Sequence, residues 1–404
     1  MIKKKLTAAL VILSMAALSG CGAPEDGRED TSGDTPDQTE ESVSEDDFYH
    51  VKSIEMEESE EESAENLMNS FGALCAEIYE NADKGSASNV VLEEENVHEM
   101  VEAAAAEGLT VTCGSYDYNM LNYENVDECL RKAAEGEAAE AEFYEITASG
   151  YFRYFSLGAE EGDLIVTYAN AAFNDAMELQ IRQLEKFQVY VWEYTEKGWL
   201  IWEKATSRNQ EMDMHSFFRV LPLDEKCREF CSRYISPVSY FSNNLFLTDW
   251  DEGSMDQIEF NDLYDFLYAM KYGESLDEEQ VQGGIPKEEF ESVVQTYFDI
   301  SAADLEVYAG YDSANGVYPW EAVDPWNRVR DLQPFPEVVR CEENPDGTVT
   351  LYVETILVED GTDCSFRHTV TMRQMDDGRW VYAGNDVDEE GSASIPGYVP
   401  RREW

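Results

Sequence analysis

Basic residues are scarce in this chain: 28 lysines and arginines stand against 86 aspartates and glutamates, for a formal net charge of −58 at pH 7. A protein that binds nucleic acid neutralises phosphates with lysine and arginine, and a strongly negative protein repels any polyanion. The composition therefore excludes nucleic acid and anionic polymers as partners. It is compatible with cations, with basic peptides, or with a charge that only keeps the protein soluble.

Residues for catalysis near neutral pH are scarce as well. The chain has only four histidines, and it contains no nucleophile elbow, P-loop, dinucleotide-binding glycine pattern or Cys-His signature. His98-Glu99 is similar to the start of a zinc-protease helix, but Glu102 stands where the second histidine is needed, so a solvated helix face is the better interpretation. The sequence indicates no cofactor and no catalytic residue, and it leaves carboxylates as the remaining acid–base groups.

Closely spaced cysteine motifs are missing too. The chain has eight cysteines and no Cys-x-x-Cys pair. Seven remain besides Cys21, so an exported chain would keep at least one thiol that is free or paired between molecules. Cys227 and Cys231 lie one helical turn apart among apolar residues and are predicted to be buried thiols. Among the possible pairs, only Cys113 with Cys129 stays open as a disulfide.

The N-terminal residues have the pattern of a targeting signal. Three lysines at positions 3–5 precede the apolar run 6–18, which is too short for a comfortable transmembrane helix and typical of a secretory signal. The next residues, Leu18-Ser19-Gly20-Cys21, resemble the lipobox of bacterial lipoproteins. This resemblance implies cleavage after Gly20, lipid on Cys21 including an acyl chain such as palmitate, and attachment to the outer face of the cytoplasmic membrane. The alternative is an ordinary signal peptide, with Cys21 in a disulfide.

The sequence predicts five segments. Residues 1–20 form the signal peptide, and residues 21–62, which begin with the lipidated cysteine, form an acidic and disordered tether. Removal of residues 1–20 takes away three lysines and no acids, so the mature chain would carry −61. Two folded modules follow at 63–211 and 212–386, and 387–404 is a C-terminal tail.

Both modules show helical periodicity first and alternating strand patterns afterwards. The predicted strands of the first module are 109–113, 142–146, 151–157, 163–169, 188–194 and 199–203, and those of the second are 338–342, 348–358, 364–375 and 379–384. The order predicts an α+β protein with two modules, in each of which helices pack on an antiparallel β-meander, as in cystatin-like or NTF2-like architectures.

An aromatic segment is the main candidate for ligand binding. Tyr311, Tyr318, Trp320 and Trp326 lie among prolines in a stretch too long to be a simple connector. Their rings could stack on sugars or dock a peptide. The alternative is that they cover the sheet and complete the core.

Asp249 and Asp251 form a candidate metal site. With Asp256 and Glu259 they cluster around Gly253, at a spacing close to that of calcium loops, although the cluster fails the EF-hand pattern. In so acidic a chain, such clusters also arise by chance.

Five stretches resemble an uncharacterised lipoprotein family of clostridia and related gut Firmicutes, a domain of unknown function: residues 119–123 (NMLNY), 194–199 (YTEKGW), 220–228 (VLPLDEKCR), 243–250 (NNLFLTDW) and 335–339 (FPEVV). The resemblance implies the extracytoplasmic address and the two-module layout, and it transfers no catalytic residue. We expect a non-catalytic lipoprotein that binds the membrane through Cys21 and a protein, peptide or glycan through its body. The alternative is a carboxylate-based hydrolase of the cell envelope, which needs two carboxylates about 5–10 Å apart.

Overall fold

The computed structural model describes residues 49–85, 89–115, 118–207, 215–323, 334–390 and 395–401. Within these ranges the chain forms seven α-helices and mainly antiparallel sheets, which confirms the predicted α+β class. None of the helices in these ranges is long and apolar enough to cross a membrane. The signal sequence and Cys21 lie outside the described residues.

In its described residues, the N-terminal half contains ten strands and three helices. In chain order they are β1 (Tyr49–Ile54), α1 (Glu58–Asn81), α2 (Glu94–Ala106), β2 (Val111–Cys113), α3 (Glu124–Ala134), β3 (Ala139–Ile146), β4 (Tyr151–Glu160), β5 (Asp163–Phe173), β6 (Leu179–Gln188), β7 (Val191–Tyr194), β8 (Trp199–Glu203), β9 (Ala205–Ser207) and β10 (His215–Arg219). Seven of the strands form one sheet in the order β2-β3-β4-β5-β6-β1-β9, and the other three form a small sheet in the order β10-β8-β7.

Both faces of the seven-stranded sheet are covered. Side chains alternate between the faces of a strand, so Tyr144 and Phe152 pack under α1 and α2. Phe143 and Phe155 point the other way and pack with α3 and the small sheet. The strands are therefore buried on both sides, which explains why their sequences are so rich in aromatic residues.

The first strand and the start of α1 correct the predicted tether. Residues 49–62 were assigned to a disordered segment, but β1 pairs with β6 through Lys52↔Gln188 and with β9 through Val51↔Ala205. The acids at the start of α1 face solvent at a helix N-terminus, where negative charge is favourable. Backbone pairing on both sides of β1 outweighs the acidic composition, so residues 49–62 belong to the folded region, and residues 21–48 of the predicted tether lie outside the described residues.

The boundary between the predicted modules also needs correction. Residues 211 and 212 lie outside the described residues, but β10, which we assigned to the second module, pairs with β8 through Arg219↔Trp199. The predicted strand 188–194 is two strands, because β6 ends at Gln188 and β7 begins at Val191. The turn before β8 needs a glycine: Gly198 has φ +87°, and a Cβ there would lie 2.3 Å from Leu221 Cβ.

The C-terminal half places its helices before a four-stranded meander, and one short strand that precedes α5 completes the sheet. Its elements are α4 (Glu225–Phe230), β11 (Trp250–Asp251), α5 (Phe260–Tyr272), β12 (Ile285–Pro286), α6 (Lys287–Tyr297), α7 (Ala302–Tyr308), β13 (Val317–Tyr318), β14 (Phe335–Glu343), β15 (Thr348–Ile356), β16 (Arg367–Gln374) and β17 (Trp380–Asp388). The main sheet has the order β11-β17-β16-β15-β14. The start of α7 is capped, because Ser301 Oγ accepts a hydrogen bond from the Asp304 amide at 3.1 Å.

The two halves meet at a small apolar junction. Trp199, Ile201 and Phe217 from the small sheet pack against Ile356 at the end of β15. Trp199 is completely buried there, and burial of such a side chain contributes several kcal/mol to stability.

The predicted C-terminal tail is docked rather than free over residues 395–401. The Arg401 guanidinium is almost fully buried, and its Nη2 lies 3.1 Å from both carboxylate oxygens of Asp265 and 2.8 Å from the Asp262 carbonyl oxygen. The Arg401 amide donates to Asp262 Oδ2 at 2.9 Å, and the Tyr398 hydroxyl donates to the same oxygen. We call these four side chains the C-terminal clamp, and they fasten the tail to α5.

Candidate functional site

The aromatic segment lies mostly inside the C-terminal core. Tyr318 is fully buried, stacks on Phe290 with ring centroids 4.2 Å apart, and donates a hydrogen bond to Glu291 Oε1 at 2.9 Å. Trp320 is 7% exposed. Because β12 pairs with β13, the segment lies against the core. The Tyr318 and Trp320 rings therefore complete the core and do not form a ligand-binding surface. Tyr311 is partly exposed beside Tyr318, and Trp326 lies outside the described residues.

Asp249 and Asp251 serve as backbone acceptors. Asp249 Oδ1 accepts the Val387 amide at 2.7 Å, which fixes the loop before β11 to β17. Asp251 Oδ1 accepts the Gly253 amide at 2.8 Å and the Ser254 hydroxyl at 3.0 Å. Throughout the described ranges, no group of three or more histidine, cysteine, aspartate or glutamate side chains is arranged to hold a metal ion. The two aspartates therefore order a turn, and no third ligand joins them.

A pair of carboxylates at the junction was not foreseen. Glu337 on β14 and Glu354 on β15 are direct cross-strand partners. Glu337 is 4% exposed, its Oε1 lies 3.4 Å from Arg219 Nε, and its Oε2 accepts from Trp199 Nε1 at 3.4 Å. Burial raises the pKa of Glu337 above its ordinary value, and the positive charge of Arg219, which acts to lower it, only partly offsets this effect.

Glu354 has the opposite electrostatic environment. Burial acts to raise its pKa, but hydrogen bonds from Lys197 and Arg367 lower it below the ordinary value. Lys197 Nζ lies 2.8 Å from Glu354 Oε2, and Arg367 Nε lies 3.0 Å from Oε1. Two carboxylates with oppositely shifted pKa values are typical of acid–base pairs in hydrolases. Here protein side chains already contact both carboxylates, so no substrate has free access to them. Neither of the two cavities described below is lined by Glu337 or Glu354.

A buried polar chain crosses the C-terminal sheet. The Tyr240 hydroxyl lies 2.8 Å from His368 Nε2, and His368 Nδ1 lies 2.8 Å from Asn385 Oδ1. The Asn385 amide nitrogen donates to the Thr248 carbonyl at 2.8 Å, which leaves Oδ1 as the acceptor. The His368 proton therefore sits on Nδ1, and Nε2 accepts from the tyrosine. Burial lowers the pKa of His368 to about 4, so the imidazole is neutral.

His368 gives the protein a specific sensitivity to acid. The unfolded chain takes up this proton near pH 6.5 and the folded chain only near pH 4, so the contribution to stability is complete above about pH 6.5 and decreases as the pH falls. We expect a loss of about 3 kcal/mol between pH 7 and pH 4 from this group alone. Urea unfolding of the wild type and of His368→Gln at both pH values measures it. The difference between the two proteins should shrink at pH 4, and a constant difference would contradict the assignment.

A cavity of about 380 Å³ lies between α3 and β3. Its wall carries the ion pair of Lys132 Nζ with Glu128 Oε1 at 2.6 Å. Cys129 also lines it, but burial, and then the negative charge of Glu140, raise the pKa of this thiol to about 11. The thiol is therefore protonated at neutral pH and is a poor nucleophile.

A second cavity, of about 260 Å³, lies between α2 and α4, where the two halves of the chain face each other. We call it the acidic cleft, and its lining residues are Glu94, His98, Tyr118, Glu225, Arg228, Glu229 and Ser232. The His98 and Tyr118 rings stack with centroids 4.2 Å apart, and His98 Nε2 lies 3.6 Å from Glu94 Oε1. Three carboxylates against one guanidinium make the lining negative.

The two walls of the acidic cleft are fastened together. Asn119, next to Tyr118, accepts the Leu223 amide at 2.9 Å and donates to the Leu223 carbonyl at 3.0 Å. Asp224 then caps α4 by accepting the amide of Lys226 at 2.9 Å. The cleft is thus preorganised, and two of the stretches on which the family resemblance rests, 119–123 and 220–228, meet at it. The sequence analysis considered His98 only as part of an incomplete zinc motif and preferred a solvated helix face, and it did not bring α2 and α4 together, because their contact joins distant parts of the chain.

These features define a two-halved α+β protein with an acidic cleft at the contact between its halves. Residues 57–401 match a family of unknown function (DUF6070), and the chain belongs to this family. The match begins at the N-cap of α1 and ends at Arg401 of the C-terminal clamp. Comparison with curated proteins and with solved structures gives no match. The cystatin-like or NTF2-like architecture stays a prediction.

Proposed function

We propose that this protein is a lipoprotein held by lipid on Cys21 at the outer face of the bacterial cytoplasmic membrane. We propose further that its folded body is a non-catalytic module that binds a basic peptide segment in the acidic cleft. The lipobox resemblance at Leu18-Ser19-Gly20-Cys21 supports the address. The acidic residues that precede β1 support a spacer, since their charges repel an anionic membrane surface.

The observation that carries the binding proposal is the stacked His98–Tyr118 wall among three carboxylates. Burial and then the negative charge of Glu102 raise the pKa of Tyr118, so its hydroxyl stays protonated and can donate a hydrogen bond. The flat rings offer apolar contact to a lysine or arginine stem, and the carboxylates attract its charged end. The net charge of the chain steers the same class of ligand toward the protein.

The hydrolase alternative is less well supported. It requires two carboxylates on either side of a substrate, one of them desolvated. The pKa values of Glu337 and Glu354 are shifted in the directions that such a pair needs. However, Arg219 and Trp199 contact the Glu337 carboxylate, and Lys197 contacts the Glu354 carboxylate. A sugar would have to displace a buried ion pair to reach them, at a free-energy cost of several kcal/mol.

One set of variants of the full chain tests the address and the ligand class. Cys21→Ser should move the protein from the membrane fraction to the soluble fraction of a lipoprotein-processing bacterium. Calorimetric titration of this soluble variant at low ionic strength should show binding of pentalysine and none of pentaglutamate. Adding Glu94→Gln should weaken pentalysine binding about fivefold, because one ion pair is lost.

Glu95→Gln is the matched control, because Glu95 is exposed in the same turn of α2 and does not line the cleft. It removes the same charge and should leave the affinity nearly unchanged. Equal losses in the two variants would mean that pentalysine senses only the overall charge. Absence of pentalysine binding would reject the cleft as a basic-peptide site, and a Cys21→Ser chain that stays with the membrane would reject the lipid address.

A further inference from the structure

One edge of β3 is open over part of its length. β3 pairs with β4 along the whole strand. On its other side, β2 pairs only with the last three residues of β3, from Tyr144 to Ile146. In the part of the chain that the structure describes, no strand pairs with residues 139–143 on that side.

The backbone groups at this open edge follow from the hydrogen bonds next to it. The Tyr144 amide donates to the Thr110 carbonyl at 2.9 Å, on the side of β2. Residues two apart in an antiparallel ladder direct their amides and carbonyls to the same side. The amides and carbonyls of Glu140 and Glu142 therefore point to the open edge, where β2 does not reach.

The cavity between α3 and β3 lies against this edge. Its lining includes residues 139–142 of β3 and residues 108–110, which lead into β2. The volume of about 380 Å³ is within the range of ligand pockets. At about 3.3 Å per residue, an extended segment of about four residues covers the open part of the edge.

The carboxylates of the lining favour a basic segment. Glu128, Glu140 and Glu142 are set against one ammonium group, Lys132, which already pairs with Glu128 at 2.6 Å. Glu140 and Glu142 are exposed and lie on one face of β3. The Tyr154 hydroxyl donates to Glu142 Oε2 at 3.0 Å, which leaves the negative charge of this carboxylate in place.

The other face of β3 is apolar beside the cavity. Ala139 and Ala141 are partly buried there and pack against the core cluster that contains Cys129. Cys129 is a free thiol. Cys113, its partner in the pair left open by the sequence, belongs to the core cluster on the opposite face, so the sheet separates the two. These small side chains leave room for apolar groups of a segment beside β3.

We propose that the open edge of β3 binds an extended segment of another protein by strand addition, and that basic and apolar residues alternate in this segment. Its basic side chains lie on the face of Glu140 and Glu142, and its apolar side chains lie on the face of Ala139 and Ala141. Backbone hydrogen bonds supply affinity, and the alternation supplies specificity. A second copy of this chain is disfavoured, because its net charge of −58 repels these carboxylates.

The open edge is separate from the acidic cleft, since the two cavities have no lining residue in common. The inference therefore goes beyond the proposed function, and either one can fail without the other.

The test is calorimetric titration of the full-length Cys21→Ser chain with the end-blocked pentapeptide Val-Lys-Val-Lys-Val. Two further forms of this peptide carry N-methyl groups, one on its lysines and the other on its valines. An added strand turns only alternate amides toward β3. One methylated form should therefore bind at least about tenfold more weakly, whereas the other stays within about threefold of the unmodified peptide.

Glu140→Pro and Glu140→Gln are the matched variants. Both remove the charge, but only proline removes the amide that points to the open edge, and it takes no hydrogen bond from the ladder with β4. Glu140→Gln should weaken binding of the pentapeptide about threefold, and Glu140→Pro at least about tenfold. Glu94→Gln, in the acidic cleft, should leave this affinity nearly unchanged.

Three results would overturn the proposal. The first is that the unmodified pentapeptide does not bind. The second is that the two methylated forms bind equally, because attraction between charges does not distinguish them. The third is that Glu94→Gln weakens binding and Glu140→Pro does not, which would place the peptide in the acidic cleft. If Glu140→Pro fails to fold, the two methylated peptides still decide the question on the chain with Glu140 intact.

Discussion

Replacing Arg401 by alanine should lower the free energy of unfolding by about 3–5 kcal/mol, although the residue lies three positions from the end of the chain. The guanidinium is 4% exposed and is shared between the Asp265 carboxylate and backbone oxygens of the C-terminal half. Without it, Asp262 and Asp265 keep their negative charges in a desolvated site. Burial already raises the pKa of both carboxyl groups, which shows how poorly the site tolerates unpaired charge.

Urea unfolding at pH 7 measures this loss. Arg340→Ala is the matched control, because Arg340 pairs with Glu342 at 3.3 Å on the surface of β14 and should lose less than about 1 kcal/mol. Arg401→Lys keeps the charge but not the planar fork of donors, so its stability should lie between those of wild type and Arg401→Ala. If Arg401→Ala unfolds at the same urea concentration as Arg340→Ala, the C-terminal clamp contributes nothing and the tail is not docked.

Replacing Arg219 by methionine should be nearly as damaging, at about 3–5 kcal/mol, because it leaves the Glu337 carboxylate buried without its cation. Burial lowers the pKa of Arg219 and raises that of Glu337, so desolvation opposes the charged form of each partner. The double variant Arg219→Met with Glu337→Leu replaces the ion pair by an apolar pair of similar volume. It should recover most of the stability that Arg219→Met loses.

Comparing the single and double variants distinguishes the effect of an unpaired charge from the effect of altered packing. Lys226→Met is the exposed control: it removes the partner of Glu343, which also lies on β14 but faces solvent. This variant should change the free energy of unfolding by less than about 1 kcal/mol. If the double variant is as unstable as Arg219→Met, the methionine side chain itself disrupts the junction. The unpaired charge would then not be the cause of the loss.

Local patterns in the sequence predicted much of the secondary structure. The helical periodicity at the start of each module corresponds to α1 and α2 in the N-terminal half and to α4, α5 and α6 in the C-terminal half. Alternation found most of the strands. These signals depend on neighbours along the chain, which one sequence displays directly.

What the sequence did not predict depends on partners far along the chain. The assignment of β10 to the first half rests on pairing with β8, and β1 is held between two strands whose residues lie more than a hundred positions away. The acidic cleft requires α2 and α4 to meet, and α4 also packs on β14, which lies about a hundred residues further along the chain. For a related reason the sequence left two interpretations of the aromatic segment open, because periodicity cannot distinguish a ring that faces solvent from one that β12 covers.

The position of β1 determines how the molecule bears mechanical load. The segment before Tyr49 leads straight into a strand that is hydrogen-bonded on both sides, to β6 and to β9. A pull on that segment is therefore transmitted to two ladders of backbone hydrogen bonds at once, not to a free loop that could stretch on its own. Extraction of β1 would separate β6 from β9 in the seven-stranded sheet, so a pull on the chain before Tyr49 must break both ladders before the rest of the fold unravels.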